Sequence, residues 1–209
     1  TSDHCGFYPR ETQLPRMAKL GIMVSCGARS IPRSAPWLKV YGERGANQIV
    51  PVAGALKAGV GVVAEGEFQV EDGESETILA QYMPMITRTT DWGKVVAKQE
   101  AIDRVTLMKL MTVWSSQYVI KEKQLGSLTP GKFADFVVFN KDSFSVPEKD
   151  LPTVYPVMTV LGGKTIALRD EFAKEIKEQP VGPQLKLIFK TDDKDSDPLK
   201  GEFELGGEG

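Results

Sequence analysis

His4 is the only histidine in this chain of 209 residues. Histidine is the commonest transition-metal ligand and an acid–base group near neutral pH. One imidazole excludes a three-histidine zinc site built from this chain alone. Any metal held here needs carboxylates, a thiolate, or ligands from elsewhere. Three donors stand beside short apolar runs: Cys26 ends one run, and Glu65 and Glu67 follow another. In an α/β barrel the catalytic groups sit at the C-terminal ends of strands and in the loops that follow. By that rule Cys26, Glu65 and Glu67 would converge on one face. His4 would join them if it ends a strand whose body lies before residue 1. Plainer readings stand beside each. A lone histidine is often a hydrogen-bonded structural residue, and a strand cysteine often behaves as a small hydrophobe. Glu65 and Glu67 could be solvated loop acids among Glu71, Asp72, Glu74 and Glu76. No P-loop, GxSxG or CxxC motif is present, and the Gly59–Gly61 spacing precedes strand residues, which is wrong for a dinucleotide site.

The elements that would carry these groups form a repeated pattern. Residues 14–20 read as a short helix, Gly21 stops it, and residues 22–26 follow as a strand. Residues 50–58 read as a second helix, Gly59 stops it, and residues 60–64 form a second strand. Glycine suits a helix C-terminus because it enters the left-handed conformation without a Cβ penalty. Short apolar runs after helices read as buried parallel strands. The loop over 27–48 carries Arg29 and Arg33, which are either ligands for an anionic substrate group or surface charges. Residues 77–87 read as a helix interrupted at Pro84. Residues 98–118 read as one long amphipathic helix with Ile102, Val105, Met108 and Met111 in a stripe. After Gly126 the pattern turns to strands: 127–132, 136–139, and a hairpin over 157–168 through Gly162-Gly163. Residues 169–189 give no clear periodicity. The last twenty residues hold seven acids against three lysines and read as a solvated tail or a strand arm.

Composition bounds the function. Hydrophobic residues make up 41% and charged residues 26%, as in soluble globular domains. A net charge of -2 with no basic block leaves no electrostatic footprint for nucleic acid. No apolar run approaches the ~18 residues of a membrane span. Two cysteines make no disulfide framework and fit a reducing or an oxidising compartment, with the cytoplasm slightly favoured. The chain opens on Thr1 without a signal segment, as a mature chain or the C-terminal piece of a longer protein would.

Residues 125–142 (Leu-Gly-Ser-Leu-Thr-Pro-Gly-Lys-Phe-Ala-Asp-Phe-Val-Val-Phe-Asn-Lys-Asp) resemble the closing segment of the amidohydrolase superfamily. Residues 157–166 (Val-Met-Thr-Val-Leu-Gly-Gly-Lys-Thr-Ile) are similar to that superfamily's last hairpin. The nearest branch is amidohydrolase family 3, with N-acyl and formamide-type hydrolases, and the likeness covers roughly residues 1–168. It implies an α/β fold, the C-terminal part of a (β/α)8 TIM-type barrel followed by part of a small β-sandwich. The implied organisation is residues 1–122 in the barrel, 123–168 in the sandwich, and 169–209 as a C-terminal extension with an acidic tail. Asp3-His4 would end barrel strand six, making His4 a metal ligand, with strands seven and eight following. The ligands of strands one, four and five would come from a missing N-terminal half or from a second polypeptide completing the barrel.

The family's Gly-Ser-Asp after strand eight is replaced here by Glu65-Gly66-Glu67-Phe68, with Phe68 in the aspartate register and Glu67 one place earlier. The resemblance thus implies a metal-dependent hydrolase of non-peptide C–N bonds in small-molecule amides. Zinc would be the metal and Glu67 the general base, with Arg29 and Arg33 either holding an anionic substrate group or standing as surface charges. An obligate apolar contact and an oligomer are expected, with no nucleic acid and no membrane. The alternative is a catalytically degenerate subunit that keeps the fold for assembly.

Overall fold

A computed structural model describes residues 1–6, 9–66, 70–71 and 74–189. The expectations on Glu67, Phe68 and the acidic tail lie outside the described residues.

The repeated helix–glycine–strand pattern is present. Helix α1 (Leu14–Lys19) leads through Gly21 (φ 63°) to β1 (Met23–Gly27), and α3 (Val52–Lys57) leads through Gly59 (φ 82°) to β2 (Gly61–Glu65). Both glycines take the left-handed conformation that ends a helix cheaply. β1 and β2 pair in parallel, with Ser25 opposite Val63 and Gly27 opposite Glu65. A parallel bridge from Ser2 to Val24 lays the first residues along the other edge of β1. Val24, Cys26 and Val62 are buried among Ala55, Val52 and Leu110 from the helices. Each buried valine or leucine among them contributes about 1.5–3 kcal/mol relative to exposure. Burial of the strands on both faces is what a parallel sheet needs.

Several elements differ from the sequence reading. The segment after β1 is not a bare loop: it contains a 3-10 turn (Ala28–Ser30) and α2 (Ala35–Ala46), which kinks at Gly42. Helix α4 (Ile78–Thr87) runs through Pro84, capped at its start by Thr77, whose hydroxyl accepts from the Ala80 N–H at 3.1 Å. The long helix expected over 98–118 is three pieces: a 3-10 turn (Lys98–Glu100), α5 (Arg104–Met111) and α6 (Val113–Tyr118). Asp103 starts α5 by accepting from the Thr106 N–H at 2.6 Å. The break falls at Thr112, with φ -127° and ψ -88°. There the hydroxyls of Thr112 and Ser115 donate to the carbonyls of Met108 and Leu110, both at 2.6 Å. Such side-chain bonds compete with the amides that would continue the helix.

The strand expected over 127–132 is irregular. Its chain folds back locally, with Lys132 N donating to Thr129 O at 3.1 Å and Phe133 N to Gln124 O at 2.9 Å. β5 (Phe136–Phe139), β6 (Pro156–Leu161) and β7 (Lys164–Leu168) form an antiparallel sheet, as expected for the hairpin through Gly162-Gly163. The segment 169–189 contains α7 (Asp170–Ile176) and β8 (Lys186–Ile188). β8 pairs in parallel with β4 (Glu74–Glu76), which itself pairs with β3 (Val70–Glu71) beyond the end of β2. Among the described residues no helix is long and apolar enough to cross a membrane.

Candidate metal centre

Three chain segments meet at the C-terminal end of the parallel pair. The first is the N-terminal arm, held on β1 by Ser2 N to Met23 O at 2.8 Å, Ser25 N to Ser2 O at 3.0 Å and Cys5 N to Ser25 O at 2.8 Å. His4 sits in that arm at φ 54°, a left-handed conformation uncommon for a residue with a side chain. The second is β1, which contributes Ser25. The third is β2, which ends on Glu65. Opposite Glu65 stands Gly27, which has no side chain to crowd it.

The side chains converge. Nδ1 of His4 contacts Oε1 of Glu65, and the His4 N–H donates to Oε2 at 3.3 Å. The Ser25 hydroxyl lies 2.7 Å from Oε2 of Glu65 and also contacts Oδ1 of Asp3. The Glu65 side chain is 17% exposed and that of His4 67%. Hydrogen bonding from Ser25 is the main cause that holds the Asp3 carboxyl below its usual range, against opposing desolvation and with help from the charge and N–H of His4. Behind the cluster stands Tyr82 of α4. Burial pushes its phenol up to about 12, and the negative charge of Glu65 adds to the effect. The phenol stays neutral at physiological pH.

The donor set suits a divalent cation. Asp3, His4 and Glu65 each offer one ligand atom, and these atoms lie within 4.8 Å of one another. One imidazole nitrogen with carboxylate oxygens is a zinc-type set. The serine hydroxyl has one proton between the two carboxylates, and the His4 N–H also donates to Glu65.

Of the residues singled out in the sequence, His4 is brought to the cluster together with Glu65. Cys26 is not a ligand: it is bonded to Cys5 in a disulfide, on a strand position whose neighbour Ser25 faces the site. Arg29 lies on the 3-10 turn directly after β1 and Arg33 just before α2; both are exposed at the same strand end. Asp3 and Ser25 were not foreseen as site groups. The available signals were the adjacency of Asp3 to His4 and the two-residue periodicity that puts Ser25 and Gly27 on one face of β1.

The sequence profile of the Amidohydrolase family matches residues 1–167. The fold is shared with zinc-containing and metal-dependent hydrolases of known structure. A metal-dependent hydrolase from Pyrococcus horikoshii OT3 superposes with a TM-score of 0.57 at 18% identity, covering 70% of this chain and 29% of its own. An adenosine deaminase from Xanthomonas campestris with bound zinc gives 0.55 at 16% identity, covering 79% and 36%. An atrazine chlorohydrolase from Arthrobacter aurescens, complexed with zinc and atraton, gives 0.50 at 15% identity, covering 79% and 35%. This chain therefore spans about a third of the length of the structures it resembles. No curated protein matches it. The α/β chain belongs to the amidohydrolase family.

Proposed function

We propose that this chain forms the C-terminal part of the barrel and part of the sandwich of a metal-dependent hydrolase acting on C–N bonds of small-molecule amides. On this reading the arm, β1 and β2 correspond to strands six, seven and eight of a (β/α)8 barrel. Residues 1–122 belong to that barrel, 123–168 to the β-sandwich and 169–209 to an extension. The remaining strands and ligands come from an N-terminal half or a second polypeptide.

The supporting observation is the convergence of His4, Asp3 and Glu65 at the C-terminal ends of parallel strands. In this reading these three hold a divalent ion, zinc by donor type. Such an ion supplies Lewis acidity, which acidifies water and polarises an amide carbonyl. Ser25 orients the two carboxylates. Glu67 takes a proton from water and passes it to the leaving nitrogen, as a general base and then a general acid. Arg29 and Arg33 hold an anionic group of the substrate from the exit of β1.

Metal analysis of the protein at its full natural length, beside its His4→Ala variant, is the direct test. A stoichiometric transition metal, reduced in the variant, with hydrolysis of N-acyl or formamide compounds, is the expected result. A protein holding no stoichiometric metal would replace this reading with that of a degenerate subunit kept for assembly.

A further inference from the structure

The disulfide between Cys5 and Cys26 stands one residue along the chain from two groups of the cluster. Cys5 follows His4, and Cys26 follows Ser25. Alternation along β1 sends Cys26 to the face opposite Ser25. Both cysteines are buried in the apolar core, at 2% and 0% exposure. The bond therefore fastens the arm from behind while Asp3 and His4 face the site from the front.

Without that bond the arm is held lightly. Residues 1–5 belong to no helix, and the described contacts that link them to the strands are the Ser2–Val24 bridge, three backbone hydrogen bonds, and the polar contacts of Asp3 and His4 with Ser25 and Glu65. The hydroxyl of Tyr118 adds a long contact to Ser2 O at 3.5 Å. Thr1, Asp3 and His4 are exposed. His4 is also kept in a left-handed conformation that a free arm would leave. A short segment outside any helix, tied down by few contacts, opens locally without global unfolding.

We propose that the Cys5–Cys26 bond is a thiol-reversible clamp on the metal-binding arm. Oxidised, it holds Asp3 and His4 against Glu65. Reduced, it releases the arm, and affinity for a divalent metal ion falls. This rests on the reading of Asp3, His4 and Glu65 as metal ligands. Cys5 and Cys26 are positioning residues and make no contact with substrate in this scheme. The reductant is a dithiol. It delivers two electrons and two protons, the Sγ–Sγ bond breaks, two cysteine thiols form, and the dithiol becomes a cyclic disulfide. Local opening of the arm gives the dithiol access to the buried bond. The redox poise of the surroundings then sets the fraction of sites that can hold metal.

The test compares oxidised, reduced and re-oxidised protein at full natural length, by zinc titration against a chromophoric chelator after the reductant has been removed. The expected result is a tenfold or larger loss of zinc affinity on reduction, restored by re-oxidation. Amide exchange at Ser2 and Cys5 should accelerate on reduction while Val62 on β2 is unchanged. A Cys26→Ser variant should reproduce the reduced state without reductant. If that variant does not fold, reduction of the folded wild type, followed by near-ultraviolet circular dichroism, gives the same comparison. Equal zinc affinity in the oxidised and reduced forms would overturn the clamp, as would two titratable thiols in protein exposed to a disulfide oxidant. Failure of the underlying reading looks different: oxidised wild type would then bind zinc no better than His4→Ala. That result would remove the clamp's effect on metal, and exchange at Cys5 would still report whether the bond holds the arm.

Discussion

The Ser25 hydroxyl stands 2.7 Å from Oε2 of Glu65, across the parallel β1–β2 pair, and touches Asp3 as well. One proton thus serves two carboxylates. Its bond to Asp3 is the largest influence holding that carboxyl below the ordinary 3.8. Ser25→Ala removes the donor, so the Asp3 carboxyl should rise toward 3.8, read by NMR titration of its side-chain carbon. The sign for stability follows from linkage. A carboxyl whose folded value is depressed stabilises the fold above its unfolded value, and the contribution is lost as pH falls through the folded value. The contribution of Asp3 to holding the wild-type arm should therefore be lost as pH falls below about 3.8, whereas Ser25→Ala, with no depression left, should lack that pH-dependent contribution. An unchanged Asp3 titration in Ser25→Ala would show that the serine hydroxyl does not set it.

Arg88 predicts a large effect on stability. Its side chain is fully buried at the end of α4. The guanidinium donates to Ile49 O at 2.5 Å, Val50 O at 3.3 Å and Val96 O at 3.3 Å. Burial lowers it to about 10, opposed by Glu100, and it remains charged at neutral pH. It ties the turn before α3 to the segment before the Lys98–Glu100 turn, so it fixes the helix that feeds β2. Arg88→Met fills space but takes the guanidinium from the Ile49 and Val96 carbonyls, each costing about 1–3 kcal/mol, while Val50 O keeps the Val52 N–H at 2.9 Å. The expected loss is about 2 kcal/mol or more in a denaturant titration. Arg88→Lys should recover little of it, since one ammonium lacks the planar fork that reaches three acceptors. A loss under about 1 kcal/mol for Arg88→Met would show that water replaces the guanidinium.

At Asp103 a cap decides where a helix begins. Its carboxylate accepts from Thr106 N, and that bond lowers it below 3.8. Asp103→Ala should cost about 1 kcal/mol, typical of a lost N-cap, whereas Asp103→Asn should cost only a few tenths. By the same linkage sign, the cap stabilises above pH 3.8 and weakens as pH falls through its lower folded value. Equal losses for the two variants, measured by urea unfolding at pH 7, would mean that charge rather than hydrogen bonding carries the cap.

What the sequence disclosed and what it hid divide along physical lines. The two helix–glycine–strand units were legible because a glycine stop and a five-residue apolar run are local signals, and the structure keeps both at Gly21 and Gly59. The hairpin at Gly162-Gly163 was legible for the same reason. The break at Thr112 was not, because the hydrophobic stripe runs through it and the competing hydroxyl bonds of Thr112 and Ser115 leave the apolar spacing untouched. At the site, His4 stood out by type. The partnership of Glu65 with His4 and Ser25 depends on strand register, which pairs residues 40 and 61 apart and has no local signature. The β4–β8 pairing is equally non-local, which is why the segment 169–189 showed no pattern.

Glu65 and Glu67 are separable by experiment. Glu65 ends β2 and touches both His4 and Ser25. On the proposed reading it is a ligand, while Glu67 moves the proton. Glu65→Gln keeps the size of the side chain and removes the charge, so zinc affinity should fall about 10- to 100-fold, comparable to losses at supporting positions of metal sites. Turnover of an amide substrate should return at high zinc concentration. Glu67→Gln should leave zinc affinity near wild type and lower kcat about 100-fold or more, the usual contribution of a general base, with no rescue by added metal. The pair is read by chelator competition beside steady-state kinetics. If Glu65→Gln binds zinc normally and loses kcat without rescue, the two roles are exchanged, and the carboxylate at the end of β2 is the base.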